Sequence, residues 1–258
     1  MSKMYFNRGE EMSDNKLPFR RFPRSQKYDL EWMFKNEMGP NAVWLMEFLS
    51  KRIDFKPGQK VLDLGCGMAM SSIFLANEFD VQVWAADLWI DPSDNYQRIK
   101  EFGIEDKVFP IKAEAHELPF AEDFFDVIVS VDAYHYFGTD ELYLPYIMKY
   151  LKEGGRFGIV VPGLKSEFKE GVPKELHPVW EPELFSFHSS QWWKDLFAKT
   201  NLVEVETADN LKDSWSIWME WEKALKDSGL SKREGDIEFL KADNGQYITF
   251  PHITARKK

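Results

Sequence analysis

Two glycines, Gly65 and Gly67, close the apolar run Val61-Leu62-Asp63-Leu64, and a second apolar run ends in the acid Asp87 about 20 residues further on. A turn leaving a buried strand often needs φ > 0, and a missing Cβ lets backbone approach a ligand closely. A carboxylate at the end of the next strand can accept both hydroxyls of a ribose. Each feature alone has a plain structural explanation, since glycine turns also serve helix–strand packing and a lone acid after a strand often caps a helix. Together, at this spacing, they point to a nucleoside-containing ligand.

The elements that must hold these residues alternate. Strands are expected from Gln59 to Leu64, up to Ala86, over Lys107–Ile111, Phe125–Val131 and Arg156–Val161, with helices over Ala69–Glu78, Asp94–Phe102 and Asp140–Lys152 between them. Such alternation argues for a parallel sheet covered on both faces, with ligands at the carboxyl ends of its strands. Upstream, the polar stretch Met1–Lys27 reads as an arm that orders only when docked. Asp29–Met38 reads as a helix broken by Gly39-Pro40, and a second helix, with Pro40 in its first turn, runs to about Ile53. Beyond Pro162 the rhythm gives way to a long aromatic loop. A helix after Ser189-Ser190, a strand near Leu202–Glu206, helices near Asp213–Asp227 and Lys232–Leu240, and a last strand around Tyr247–Thr254 follow. Pro251 demands a bulge or an unpaired position in that strand.

With 258 residues, one α/β domain with an appended cap accounts for the length. A net charge of −10 works against a broad phosphate-binding surface, so nucleic acid is not expected as substrate. The basic cluster Arg20-Arg21-Phe22-Pro23-Arg24 reads as a solvated arm. A single cysteine, Cys66, excludes an intramolecular disulfide framework and fits a reducing compartment. The N-terminus has no long apolar stretch, so the expectation is a cytoplasmic enzyme without a membrane anchor.

Over roughly Phe55–Pro162 the chain resembles the class I S-adenosylmethionine-dependent methyltransferases. The resemblance rests on Asp63-Leu64-Gly65-Cys66-Gly67, Asp87, Ala113-Glu114-Ala115-His116-Glu117-Leu118-Pro119-Phe120, Phe125-Asp126-Val127-Ile128-Val129-Ser130 and Leu151-Lys152-Glu153-Gly154-Gly155-Arg156. It is closest to the small-molecule, quinone-biosynthesis-like branch (methyltransferase type 11). The resemblance implies a doubly wound, mostly parallel seven-stranded sheet with a helical cap, and S-adenosyl-L-methionine as cofactor. It places Gly65 and Gly67 under the methionine part, Asp87 on the ribose, Leu88 on the adenine face, Glu114 on the adenine amino group and the Ala115 backbone against the ring. Asp63, Cys66 and Ser130 complete the expected cofactor set, and Tyr28 is expected at the lid edge. Ala69 stands where many members carry a third glycine, and Glu114 where a shorter Asp is more usual.

Methyl transfer from a sulfonium needs mainly alignment and exclusion of water, with a general base only for a protonated acceptor. The candidates for acceptor binding or proton removal are Asp132 and His135, after the fourth strand, with Tyr134 or Tyr136 as walls. Against these stand a helix cap for Asp132 and a structural hydrogen bond for His135. No metal site is expected, since His177 and His188 lack a partnered His or Cys. Trp215, Trp218 and Trp221, at helical spacing, read first as core and only second as an aromatic pocket. The organisation expected is an arm with lid helices at 1–54 and a cofactor-binding domain at 55–258, with a cap insertion at about 163–189 and helices at about 213–240. Both flanks are expected to close over a small-molecule acceptor. Asp87→Ala is expected to weaken cofactor binding and spare the fold, and Gly67→Val to abolish binding.

Two other readings use the same residues. An NAD(P)-dependent oxidoreductase also has a glycine turn and a ribose acid, but its G-x-G-x-x-G fingerprint would need glycine where Met70 stands. A non-catalytic cofactor-binding protein would keep the same acid and glycine set.

Overall fold

The apolar runs become strands in the order the alternation suggests. A computed structural model describes residues 21–231 and 235–258. Its strands are β1 (Lys60–Leu64), β2 (Gln82–Asp87), β3 (Val108–Lys112), β4 (Phe125–Val131), β5 (Leu151–Val160), β6 (Gly163–Leu164), β7 (Val203–Asn210), β8 (Ile248–Thr249) and β9 (Pro251–Lys257). Seven of them form one sheet, ordered β3-β2-β1-β4-β5-β9-β7. The first five are parallel, while β9 pairs antiparallel with both β5 and β7. Strand order reverses between β1 and β4, which opens a crevice at their carboxyl ends.

Successive residues of each strand serve opposite faces. Val61, Val83, Val127 and Val129 join one apolar cluster, whereas Leu62, Leu64, Ile128 and Phe157 join another. The first face is covered by α2 (Ala42–Ser50) and α3 (Met70–Phe79), which pack on each other. The second is filled by Tyr134, Tyr143, Trp193 and Phe197. The remaining helices are α1 (Leu30–Lys35), α4 (Pro92–Glu101), α5 (Tyr143–Ile147), α6 (Ser190–Lys199), α7 (Ser214–Ser228) and α8 (Ile237–Asp243). Among the described residues no helix is long and apolar enough to cross a membrane.

Several boundaries differ from expectation, each for a local reason. The first helix stops at Lys35 with Asn36 as its C-cap, three residues short of Met38. In α2 the Asn41 side chain accepts from Trp44 N–H, so the cap lies after Pro40 and the proline stays outside the helix. The helix expected over Asp140–Lys152 shrinks to α5 and a 3₁₀ turn, with Pro145 confined to the first helical turn and Leu151 already in β5. The last strand divides at Phe250, and Pro251 opens β9, where its missing N–H is tolerated. The start of α8 was expected at Lys232, and residues 232–234 lie outside the described ones, as do Met1–Arg20 of the arm. From Arg21 onward the arm is docked: Phe22 is buried and stacks on Trp44 at 5.6 Å.

The aromatic stripe of α7 is core. Trp221 is fully buried and its indole N–H donates to Gly39 O at 3.1 Å, while Trp215 donates to Leu240 O at 2.7 Å.

Candidate functional site

A cavity of about 310 Å³ opens over the carboxyl ends of β1, β2, β3 and β4, under the α1–α2 connection. Its floor is the turn after β1. Gly65 and Gly67 adopt left-handed φ values of 72° and 52°. A Cβ on Gly65 would overlap the Cβ of Ala133, whereas one on Gly67 would come within 2.9 Å of the Met38 sulfur, the end of a flexible side chain. Gly65 is therefore the position that admits no side chain. Ala69, where a third glycine is common in the resembling family, also takes a left-handed φ of 58° at the start of α3. Alanine here performs the backbone role a glycine would fill.

Asp87 ends β2 and is tied to the turn. Its Oδ2 accepts from Gly67 N–H at 2.8 Å, and its Oδ1 accepts from Trp89 N–H and Ile90 N–H at 2.8 and 3.1 Å. A carboxylate offers about four acceptor positions, so one remains, on Oδ2. After β3, Glu114 accepts from the His116 backbone N–H at 2.8 Å and its Oε1 lies 2.9 Å from His116 Nδ1. Although partial burial opposes it, this hydrogen bonding holds the Glu114 carboxyl below its usual value. Tyr143 Oη donates to Ala115 O at 3.1 Å and packs edge-on against the His116 ring, which steadies this rim.

Of the residues singled out in the sequence, Gly65, Cys66, Gly67, Asp87, Leu88, Glu114, Ala115 and Asp132 share the cavity lining. Burial pushes the Cys66 thiol well above its usual pKa, which leaves it unreactive. Asp132 has a φ of 56°, and its Oδ2 would lie 2.6 Å from a Cβ on Gly39, so Gly39 is the residue that lets the α1–α2 connection reach it.

Four expected residues lie elsewhere. Asp63 is fully buried beneath α3 and accepts from the Ser71 and Ser72 hydroxyls at 2.6 Å each, with burial raising its carboxyl to about 6. It holds the start of α3 to β1. Ser130 is buried and donates to Leu64 O at 2.7 Å, linking β4 to β1. Tyr28 packs among Trp32, Phe74 and Phe102, and burial raises its phenol pKa. His135 is buried against Tyr136 and Phe187, and burial pushes it down to about 3, so it is a neutral imidazole outside the cavity lining. His177 and His188 also lie outside: the first meets Val172 O at 2.9 Å, and the second stacks on Trp192 at 3.6 Å.

The two flanks contribute unequally. Asn36, Met38, Gly39, Pro40 and Ala42 form one wall, but no residue of Gly163–Ser189 lines the cavity. The second flank, expected to help enclose the acceptor, is thus absent from the lining, and Trp89 and Tyr136 instead face each other across the rim at 6.2 Å. Trp89 carried one local signal, an aromatic residue two positions after the ribose-type acid.

Residues 61–155 match a protein family described as a methyltransferase domain. Among curated proteins, the methyltransferase GfsG of Streptomyces halstedii is 30% identical over 116 residues, covering 45% of this chain and 42% of GfsG. Phosphoethanolamine N-methyltransferase 3 of Arabidopsis thaliana is 30% identical over 152 residues, covering 56% of this chain and 31% of that protein. The chain thus spans less than half the length of either relative. Among solved structures, phosphoethanolamine N-methyltransferase 2 of Haemonchus contortus, in complex with phosphomonomethylethanolamine and S-adenosylhomocysteine, superposes with a TM-score of 0.72 at 20% identity. That likeness covers 92% of this chain and 59% of the other. The fold is accordingly that of the class I methyltransferases, and residues 61–155 at its centre match a methyltransferase domain.

Proposed function

We propose that the chain transfers a methyl group from S-adenosyl-L-methionine to a small-molecule acceptor by in-line displacement. The observation that carries this reading is the convergence on one cavity of the glycine turn, Asp87 and Glu114, each from a different strand end. The residues fit the cofactor. The remaining Oδ2 position of Asp87 can accept one ribose hydroxyl without releasing the turn, and Glu114 keeps acceptor capacity for an adenine amino group beyond its two bonds to His116. Leu88 and Ala115 offer apolar contact for the purine, and Gly65 and Gly67 expose backbone where the methionine part would lie.

When bound, the sulfonium supplies an electrophilic methyl group and a neutral thioether leaving group. The protein's part is then to orient and to exclude water. The Asn36–Ala42 wall and the Trp89–Tyr136 rim restrict access from solvent. Asp132, at the end of β4, is the carboxylate beside Tyr136 and Phe137, and we assign it to acceptor binding or proton removal. Burial, with Asp132 adding to it, holds the Tyr136 phenol up at about 12, so it stays a hydrogen-bond donor at neutral pH. In this reading residues 21–54 serve as the wall of a cofactor-binding domain that begins at 55.

Calorimetric titration with S-adenosylhomocysteine and, separately, with NAD tests the reading. Binding of the first alone is expected. Binding of NAD alone would transfer the site to the oxidoreductases, and a metabolite screen with a labelled methyl donor would then find no acceptor.

A further inference from the structure

The wall and the floor of the cavity are joined by a chain of side chains that the methyl-transfer reading leaves unused. Arg98 and Asn95 stand three positions apart on one face of α4. Arg98 Nε donates to Asn36 Oδ1 at 2.7 Å, and its Nη1 donates to Asn95 Oδ1 at 3.0 Å. Asn95, which is 1% exposed, passes the connection on by donating from Nδ2 to Gly67 O at 2.9 Å. Gly67 N–H in turn donates to Asp87. At the far end, Asn36 donates from Nδ2 to Trp32 O at 2.8 Å, so the residue that takes the guanidinium also closes α1.

A guanidinium suits this task because its planar fork presents two donors in fixed directions. Here the two acceptors belong to different parts of the site. Asn36 lines the wall, and Asn95 holds the carbonyl of the glycine turn. The segment after α1, a helix of 6 residues, is also held to the α7 side by the Trp221 indole N–H on Gly39 O and the Ser231 hydroxyl on Glu37, whereas the Arg98 bridge ties it to the glycine turn. Isolated helices of this length are not stable, so outside anchors set their position.

We propose that Arg98 is a positioning residue for the cofactor: it sets the separation between the Asn36–Ala42 wall and the Gly65–Gly67 floor, and so the fit of the ligand between them. This rests on the cofactor reading above. Arg98 is outside the cavity lining and touches no ligand in this scheme. Its effect passes through Asn36 on one side and through Asn95 and Gly67 on the other.

The test is a binding cycle with S-adenosylhomocysteine, run with thermal unfolding and amide exchange on the same samples. Arg98→Met keeps much of the stem packing and removes both donated bonds. It is expected to weaken binding roughly 5- to 30-fold and to speed exchange across residues 36–42 in the unliganded protein. Asn36→Leu is expected to do the same, and the double variant to be no worse than Arg98→Met, because both break one connection. Arg98→Lys, which keeps the charge without the fork, should fold normally and bind with an intermediate loss. Unchanged affinity in Arg98→Met or Arg98→Lys overturns the proposal, as do additive losses in the double variant. If the wild-type chain itself fails to bind S-adenosylhomocysteine, the cofactor reading falls and takes this one with it.

Discussion

The Asp87 carboxylate accepts a hydrogen bond from the Gly67 backbone N–H at 2.8 Å, so the acid that faces the cavity also shapes the glycine turn. With the bonds from Trp89 and Ile90 it holds three backbone donors. Asp87→Ala is therefore expected to cost stability as well as ligand affinity, about 2 to 3 kcal/mol in each. Unfolding temperature should drop by roughly 5 to 10 °C. Scanning calorimetry beside a S-adenosylhomocysteine titration checks both. The expectation from sequence, in which the fold is untouched, misses the structural half of this residue's work.

The two glycines of the turn should differ in their tolerance. Gly65→Ala forces a Cβ into Ala133 at a left-handed φ, and is expected to destabilise the protein by about 1 to 3 kcal/mol and abolish cofactor binding. Gly67→Ala carries the same left-handed strain but meets only the flexible end of Met38, so it should be destabilised by only about 1 kcal/mol, less than Gly65→Ala, while binding more weakly. Equal unfolding temperatures for the two variants would contradict the packing described for Gly65.

Acid stability should follow the buried histidines. Burial pushes His135 down to about 3 and His252 to about 4, both below the 6.5 of the unfolded chain. Between those values the unfolded chain binds protons that the folded one refuses, so stability rises with pH and is lost as pH falls below about 6.5. Asp63 acts the opposite way: raised to about 6 from 3.8, it keeps a proton in the folded chain that the unfolded chain releases. Two histidines against one carboxyl leave a net of about one proton, or about 1.4 kcal/mol lost per pH unit between pH 6 and 4. His135→Phe should flatten that slope, as read by urea unfolding at pH 4.5, 5.5 and 6.5.

Ligand protection should be one-sided. Amide exchange with S-adenosylhomocysteine is expected to slow across residues 36–42 and the glycine turn, and to leave 163–189 unchanged, because only the first flank borders the cavity. Strong protection of 163–189 would mean that this segment moves over the site when ligand binds.

The parts of the site visible in the sequence are those whose chemistry is local. A glycine pair after an apolar run and the acid Asp87 at the next strand end need no knowledge of the third dimension, while Glu114 came with the family resemblance, and all of them meet at the cavity. What the sequence hid was direction. Asp63 and Ser130 belong to the same motifs as the lining residues, but their strand positions turn them under α3 and toward β1. His135 and Tyr28 have the right chemistry and the wrong neighbours, since the packing that buries them arises from elements far along the chain. The wall at Asn36–Ala42 announced itself only as a helix break at Gly39-Pro40. Its anchoring by Trp221 and Arg98 joins residues 182 and 62 positions apart.

Trp89 stands apart from the other nine tryptophans. It is 69% exposed at the cavity rim, while the rest are buried or half-buried. In emission spectra the interior indoles contribute a blue, shielded background, and Trp89 is the indole that a water-borne quencher such as acrylamide or iodide reaches first. A ligand settling between Trp89 and Tyr136 shields it. The rim thus gives the protein an intrinsic optical reporter of occupancy, which needs neither a label nor a known acceptor.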